Sequence, residues 1–261
     1  MSLSVNVPFP ELKEFLEEKY FQYATKSFIE RDPISIPHSF TKPQDIEIAG
    51  FLSATLAWGQ RATIIKNMHK LLALMEHAPY EFLMQAHEED FMRFQQFVHR
   101  TFNGEDCRFF LRALQYIYRT GGGLGQVFQE GWNETKSMPQ TIARVREQFF
   151  AIDHPLRSRK HFADVQKGSA GKRLNMYLRW MVRPVDGGVD FGLWPGIPSS
   201  ALYLPLDVHS GRVARKLGLL TRKQNDWKAV DEVTSNLRKL DPVDPVKYDY
   251  ALFGLGVFEK F

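Results

Sequence analysis

The chain has 261 residues, 44% of them apolar and 25% charged, which describes an ordinary globular protein of one large or two small domains. Its single cysteine, Cys107, excludes a disulfide scaffold, a cysteine-ligated zinc site and a four-cysteine iron–sulfur cluster. The formal charge of +4 hides an asymmetry: residues 157–183 carry eight basic residues against one acid, residues 207–223 carry five against one, and the rest of the chain is net acidic. Concentrated positive charge on an acidic body is the footprint of a polyanion partner, with solvated helix faces as the plainer alternative.

In chain order, the periodicity predicts helices almost throughout. Leu12, Phe15, Leu16, Tyr20 and Tyr23 repeat at helical spacing in an acidic first helix. Pro43 and Asp45 open a second, carrying Ile48, Phe51, Leu52 and Leu56, which breaks at Trp58-Gly59-Gln60. A third runs from about Thr63 to Met75, and Pro79 starts another. Asp106 is expected to cap a helix bearing Phe109, Phe110, Leu114, Ile117 and Tyr118, ending at Gly121-Gly122-Gly123. Pro139 starts one more, ending near Phe150. Residues near 170–182 place Leu174, Tyr177, Leu178 and Met181 on one face, with Lys172, Arg173 and Arg179 elsewhere. A proline- and glycine-rich loop follows from Pro184 to Pro205. Asp207 opens a helix to about Leu217, Asp226 caps another to about Lys239, and Pro245 starts the last. Alternating runs suited to strands are scarce, so the expected fold class is all-α.

No apolar run approaches the roughly 18 residues of a membrane span. The segment Met1 to Pro10 lacks the basic-then-apolar shape of a leader, so a cytoplasmic protein without membrane contact is expected. Several catalytic patterns fail. In Gly168-Ser169-Ala170-Gly171-Lys172-Arg173 the leading glycine of a phosphate-binding loop would fall at Gln166, and Arg173 replaces the magnesium-binding hydroxyl. Gly121 to Gly125 follows no strand. The eight histidines form no His-Glu-x-x-His pair, and no serine sits in a Gly-x-Ser-x-Gly elbow. Cys107 on an apolar helix reads as a buried thiol.

Two segments carry more chemistry. Gly168-Ser169-Ala170-Gly171 precedes a helix whose first turn holds Lys172. Small residues let the backbone approach a phosphate, and a helix start offers free N–H groups to bind it. The helix dipole and neighbouring arginines favour the neutral, nucleophilic form of Lys172, although an exposed lysine on a basic helix fits the same pattern. Asp207 in turn has a plain role as an N-cap.

Leu206-Asp207-Val208-His209-Ser210-Gly211-Arg212-Val213 resembles the Val-Asp-Thr-His-x-x-Arg-Val signature of the helix-hairpin-helix DNA glycosylase superfamily, which includes endonuclease III, the adenine glycosylases and the 8-oxoguanine glycosylases. Gly168 to Asn175 is similar to the hairpin Gly-Val-Gly-Arg-Lys-Thr-Ala-Asn of endonuclease III. Phe51-Leu52-Ser53-Ala54 through Ala62-Thr63-Ile64-Ile65 resembles the early helix-loop-helix of the adenine glycosylases, whose loop wedges into DNA. Asp249 to Gly256 resembles their Ala-Met-x-Asp-Leu-Gly helix. The whole chain also resembles a bacterial family defined as a domain of unknown function. The hairpin departs from the superfamily in having Gln166-Lys167 for Leu-Pro and Ala170 for its second glycine. Lys172 and Asp207 lie 35 positions apart, a long spacing shared with the archaeal 8-oxoguanine glycosylases.

The resemblance implies two helical lobes around a cleft: roughly 40–155 with the wedge loop, and 156–261 with the N-terminal helix. It implies a bifunctional glycosylase and abasic-site lyase acting on double-stranded DNA with a damaged base, possible oxidised purines included. Lys172 would be the nucleophile and Asp207 its catalytic partner. Gly168, Ser169, Gly171, Arg173 and His209 would hold the backbone, with Gln60 and Arg61 as the wedge. Trp180, Trp194 and Phe253 would wall the base pocket, with core packing as the default for each. The cluster cysteines are missing, because Phe258-Glu259-Lys260-Phe261 follow Leu255-Gly256, so no cofactor is implied beyond a monovalent cation at the hairpin. A module of the same fold that binds DNA or RNA without cleaving it is the alternative.

Overall fold

The computed structural model describes residues 9–30 and 32–261. Residues 1–8 of the Met1 to Pro10 segment lie outside the described residues. Among the described residues all regular structure is helical, and His99 and Phe102 form an isolated antiparallel bridge. No described helix is long and apolar enough to cross a membrane. The chain divides into two compact units, one of residues 9–28 with 165–261 and one of residues 29–164.

The discontinuous unit contains α1 (Phe9–Tyr23), α9 (Lys172–Val182), α10 (Val208–Lys216), α11 (Trp227–Leu240) and α12 (Tyr248–Val257). Its core is aliphatic: Leu12 and Leu16 of α1 meet Val213, Ala214, Val230, Val233, Leu237, Ala251, Leu252 and Leu255. Burying each of the larger side chains contributes on the order of 2 kcal/mol before entropy is counted. Helix α12 approaches α1 closely enough that a Cβ on Gly254 would overlap the Tyr23 ring, at 2.2 Å. Asp207 and Asp226 cap α10 and α11, as their sequences predict. Pro245 opens a single 3-10 turn, Pro245–Lys247, before α12. The Pro184–Pro205 loop packs back on α9: Phe191 N–H donates to the Trp180 carbonyl (2.8 Å) and Trp194 N–H to that of Met181 (3.1 Å).

The continuous unit contains α3 (Pro43–Leu56), α4 (Arg61–Leu74), α5 (Pro79–Gln85), α6 (Gly104–Gly121), α7 (Leu124–Thr135) and α8 (Met138–Phe149); a single turn, α2 (Lys26–Ile29), lies where the two units meet in sequence. Its core is aromatic: Phe110 and Phe149 rings lie 4.9 Å apart, Phe149 and Phe162 5.2 Å, and Phe109 stacks on Phe150 at 5.3 Å. One sequence expectation changes here. The cap of α6 is Asn103, and Asp106 is the third helical residue, returning a bond to the Asn103 N–H. The glycine triplet ends α6 as expected, but a helix the sequence periodicity does not predict follows it. Gly122 closes α6 in the left-handed region and Gly123 opens α7, whose Leu124, Val127, Phe128 and Gly131 form a short apolar face broken up by glycine.

Residues 156–164, grouped with the hairpin in the sequence reading, fold with the continuous unit. The cause is the buried Asp106 carboxylate. It accepts from Arg157 Nη1 (2.8 Å) and Ser158 Oγ (2.7 Å), and His161 Nε2 lies 3.3 Å away. Burial pushes this carboxyl up, but His161, Ser158 and the Asn103 N–H outweigh it and hold the group below the usual carboxylate range.

Candidate active site

Residues 165–171 form a turn, closed by Gly168 N–H on the Val165 carbonyl (3.0 Å), that leads into α9. A 3-10 helix, Leu156–His161, precedes it in place of an α-helix. Gly168 and Gly171 both adopt positive φ, +87° and +59°. These values favour glycine. Open space surrounds the position of a Gly168 Cβ, whereas Gly171 sits against Val165. Asn175 Nδ2 donates to the Ala170 carbonyl (3.2 Å) and Trp227 N–H to that of Gly168 (3.0 Å), so α9 and α11 both hold the hairpin. Ser169 is exposed, and its hydroxyl accepts from Gly171 N–H. No side chain caps α9.

Lys172, half-buried, is the first residue of α9, and its amine makes no hydrogen bond or ion pair among the described residues. Arg173 beside it is half-buried. Burial pulls its guanidinium down to about 10, where it remains cationic at neutral pH. Asp207 caps α10: Oδ1 accepts from His209 N–H (2.8 Å), Ser210 N–H (2.9 Å) and Ser210 Oγ (3.1 Å), while Ser210 Oγ accepts from Asp207 N–H (2.9 Å). The plain role of this aspartate is therefore real. It occupies Oδ1 and leaves Oδ2 open among the described residues.

A third residue feels the charges of both Lys172 and Asp207. Asp249, on α12, is 5% exposed and ion-paired to Arg179 Nη1. Burial pushes its carboxyl up to about 6, with Arg179 opposing, Asp207 adding to the rise and Lys172 opposing. Lys172 and Asp207, 35 positions apart, thus both act electrostatically on one buried carboxyl. Behind it lies a buried network. Arg179 Nε lies 3.4 Å from Asp190 Oδ1, Arg183 pairs with Asp190 and grips both oxygens of Asp244 (3.0 and 2.7 Å), and the Arg179 guanidinium stacks 4.2 Å over the Tyr250 ring. The local sequence assigns Asp249 no role. The available signal was a lone acid between two tyrosines in an otherwise apolar helix.

The network corrects the reading of residues 157–183 as an exposed cationic patch. Arg179 and Arg183, 3% and 0% exposed, are spent on buried carboxylates, and Arg157 on Asp106. Arg159, Lys160 and Lys167 remain exposed.

His209 is exposed, with its ring 6.5 Å from that of Phe253 and its backbone against Gly256 of α12, so it packs on the neighbouring helix. Trp180 and Trp194, 0% and 1% exposed, belong to the core, and Tyr177 and Trp194 meet edge to face at 5.4 Å. Phe253 is half-buried, its ring 6.0 Å from Phe28. In the continuous unit, Gly59 (φ +112°) and Gln60 are exposed between α3 and α4, with Gln60 at the N-cap and half-buried Arg61 starting α4. The Trp58 ring is half-buried, stacked on His161 (5.9 Å) and edge-on to His99 (5.0 Å), which fixes the base of the exposed tip.

Among the described residues no group of three or more His, Cys, Asp or Glu side chains is placed to hold a metal ion. Cys107 is fully buried, and burial together with the Asp106 charge pushes its thiol well above the usual range.

Residues 32–258 match a family described as Protein of unknown function (DUF2400), and the chain belongs to that family. No curated protein and no solved structure matches it.

Proposed function

We propose that this chain is a DNA glycosylase with abasic-site lyase activity, acting on a damaged base flipped out of duplex DNA. The observation that supports the reading is that Lys172 and Asp207, 35 positions apart in sequence, both act electrostatically on buried Asp249. The neutral Lys172 amine attacks C1′ of the sugar. The glycosidic bond breaks, and its electron pair leaves with the base, which takes up a proton. The amine gives up one proton, and its lone pair forms the C1′=N bond of a protonated Schiff base as the C1′–O4′ bond breaks and O4′ takes up a proton; removal of a C2′ proton then expels the 3′ phosphate. Asp207 Oδ2 stabilises the cationic sugar or takes the proton from Lys172. The Gly168–Gly171 turn and Arg173 hold the adjoining phosphate.

The competing reading is nucleic-acid binding without cleavage. It draws on the capping bonds that occupy Asp207 Oδ1. Borohydride trapping on abasic and 8-oxoguanine duplexes separates the two. A covalent adduct that disappears in Lys172→Gln, while DNA affinity stays within a few-fold, is the expected result. Full lyase activity in Lys172→Gln, or no adduct across a lesion panel, rejects the enzyme.

A further inference from the structure

The discontinuous unit has a second concave surface, built on α10. It is an open depression of about 620 Å³ lined by Val208, Arg212, Arg215, Lys216, Lys223 and Asn225, four of them cationic and none acidic. The first four recur at i, i+4, i+7 and i+8, one stripe of a helix. Arg215 folds the following loop back onto that stripe: Nε donates to the Arg222 carbonyl (2.8 Å), and Nη2 to the Lys223 carbonyl (3.0 Å) and Asn225 Oδ1 (2.6 Å). Asn225 Nδ2 donates in turn to the Asp207 carbonyl (3.0 Å), tying the loop to the start of α10. Gly211 makes room for this, since a Cβ there would lie 2.9 Å from Arg215 Nη1 and 3.1 Å from Asn225 Oδ1.

Arg215 is thus part of the wall, while Arg212, Lys216 and Lys223 stay exposed. Arg212 donates to the Gly256 carbonyl (2.9 Å), and Lys216 lies over the Phe261 ring at 5.2 Å; neither partner is charged. None of the four cations forms an ion pair among the described residues. Glu232, which acts on Arg215 electrostatically, is itself bonded to Thr221. Cations gathered without counter-charge raise the local potential and attract an anion. The guanidinium of Arg212 adds a donor fork suited to phosphate oxygens.

We propose that this depression is a second phosphate-binding site, gripping the sugar–phosphate backbone of duplex DNA a few nucleotides from the reacting sugar. The inference rests on the glycosylase reading, because Asp207 begins the same helix. From Asp207 to Lys216 the helix runs about 13 Å. At about 3.4 Å of duplex rise per nucleotide, that is a reach of about four positions along one strand.

The test is binding of the full chain to an undamaged duplex oligonucleotide, followed by fluorescence anisotropy from low to physiological salt. Lys216→Gln combined with Lys223→Gln should weaken binding about tenfold or more at low salt and make the log–log salt slope shallower by about two. The Lys→Arg pair at the same positions should keep both, and unchanged melting shows that each variant is folded. A double Gln variant with wild-type affinity and slope overturns the site. Loss of inorganic phosphate binding with duplex binding intact also overturns it, assigning the depression to a small anion. If the wild-type chain binds no duplex at any salt, the glycosylase reading falls as well.

Discussion

Eight cations meet one acid between Arg157 and Arg183, and five meet one between Asp207 and Lys223, yet the richer segment keeps less of its charge in solvent. In the first, Arg179 and Arg183 lie one turn apart on or just past α9 and point inward. Asp190, Asp244 and Asp249 arrive there from a loop, a 3-10 turn and α12. In the second, Val213 and Ala214 take the core side of α10, so Arg212 and Lys216 are left outside with no acid opposite. Local charge becomes surface potential only where no distant segment supplies its partners.

The largest effect that tests this contrast is on stability. Arg183→Met removes one partner from two carboxylates that remain in place, and breaking a buried pair in this way costs about 3–5 kcal/mol. Urea unfolding measures it, and a loss below 1 kcal/mol would mean that the network is far more hydrated than its burial indicates.

A second, somewhat smaller effect depends on pH. The Asp249 carboxyl rises from 3.8 to about 6 on folding, so the native state binds its proton more tightly than the unfolded chain. The stability it contributes is complete below about pH 4 and is lost as pH rises through about 6, on the order of 3 kcal/mol in all. Asp249→Asn should flatten that part of the stability–pH curve, measured as urea midpoints from pH 4 to 7. An unchanged curve would show that Asp249 titrates normally.

The smallest effect belongs to the second segment. Lys216→Gln and Lys223→Gln should each shift stability by no more than about 0.5 kcal/mol, as exposed substitutions do. A larger destabilisation would make these lysines part of the fold.

The elements of the candidate site differ in how legible they were. The hairpin glycines, the α10 cap and the start of α9 follow from short-range chemistry: positive φ at Gly168 and Gly171, and a short acidic side chain ahead of a helix at Asp207. Asp249 was not legible in this way. Its significance comes from Arg179, 70 positions away, and from Lys172 and Asp207, none of them within its own helix. Helix α7 was hidden for a local reason, because Gly125 and Gly131 dilute its apolar face. The close approach of α8, whose Thr141 Cγ2 would lie 3.2 Å from a Gly131 Cβ, gives that glycine its use.

The sequence by itself determined an all-helical chain and most helix starts, since periodicity, caps and turn glycines act over a few residues. Only the tertiary structure decided which cations are spent in the interior and which face solvent, that residues 156–164 follow Asp106 into the continuous unit, and that buried Asp249 feels the charges of Lys172 and Asp207. The physical reason is that burial and ion pairing are set by side chains far apart in sequence, and the free energy of a charge depends on that company rather than on its neighbours along the chain.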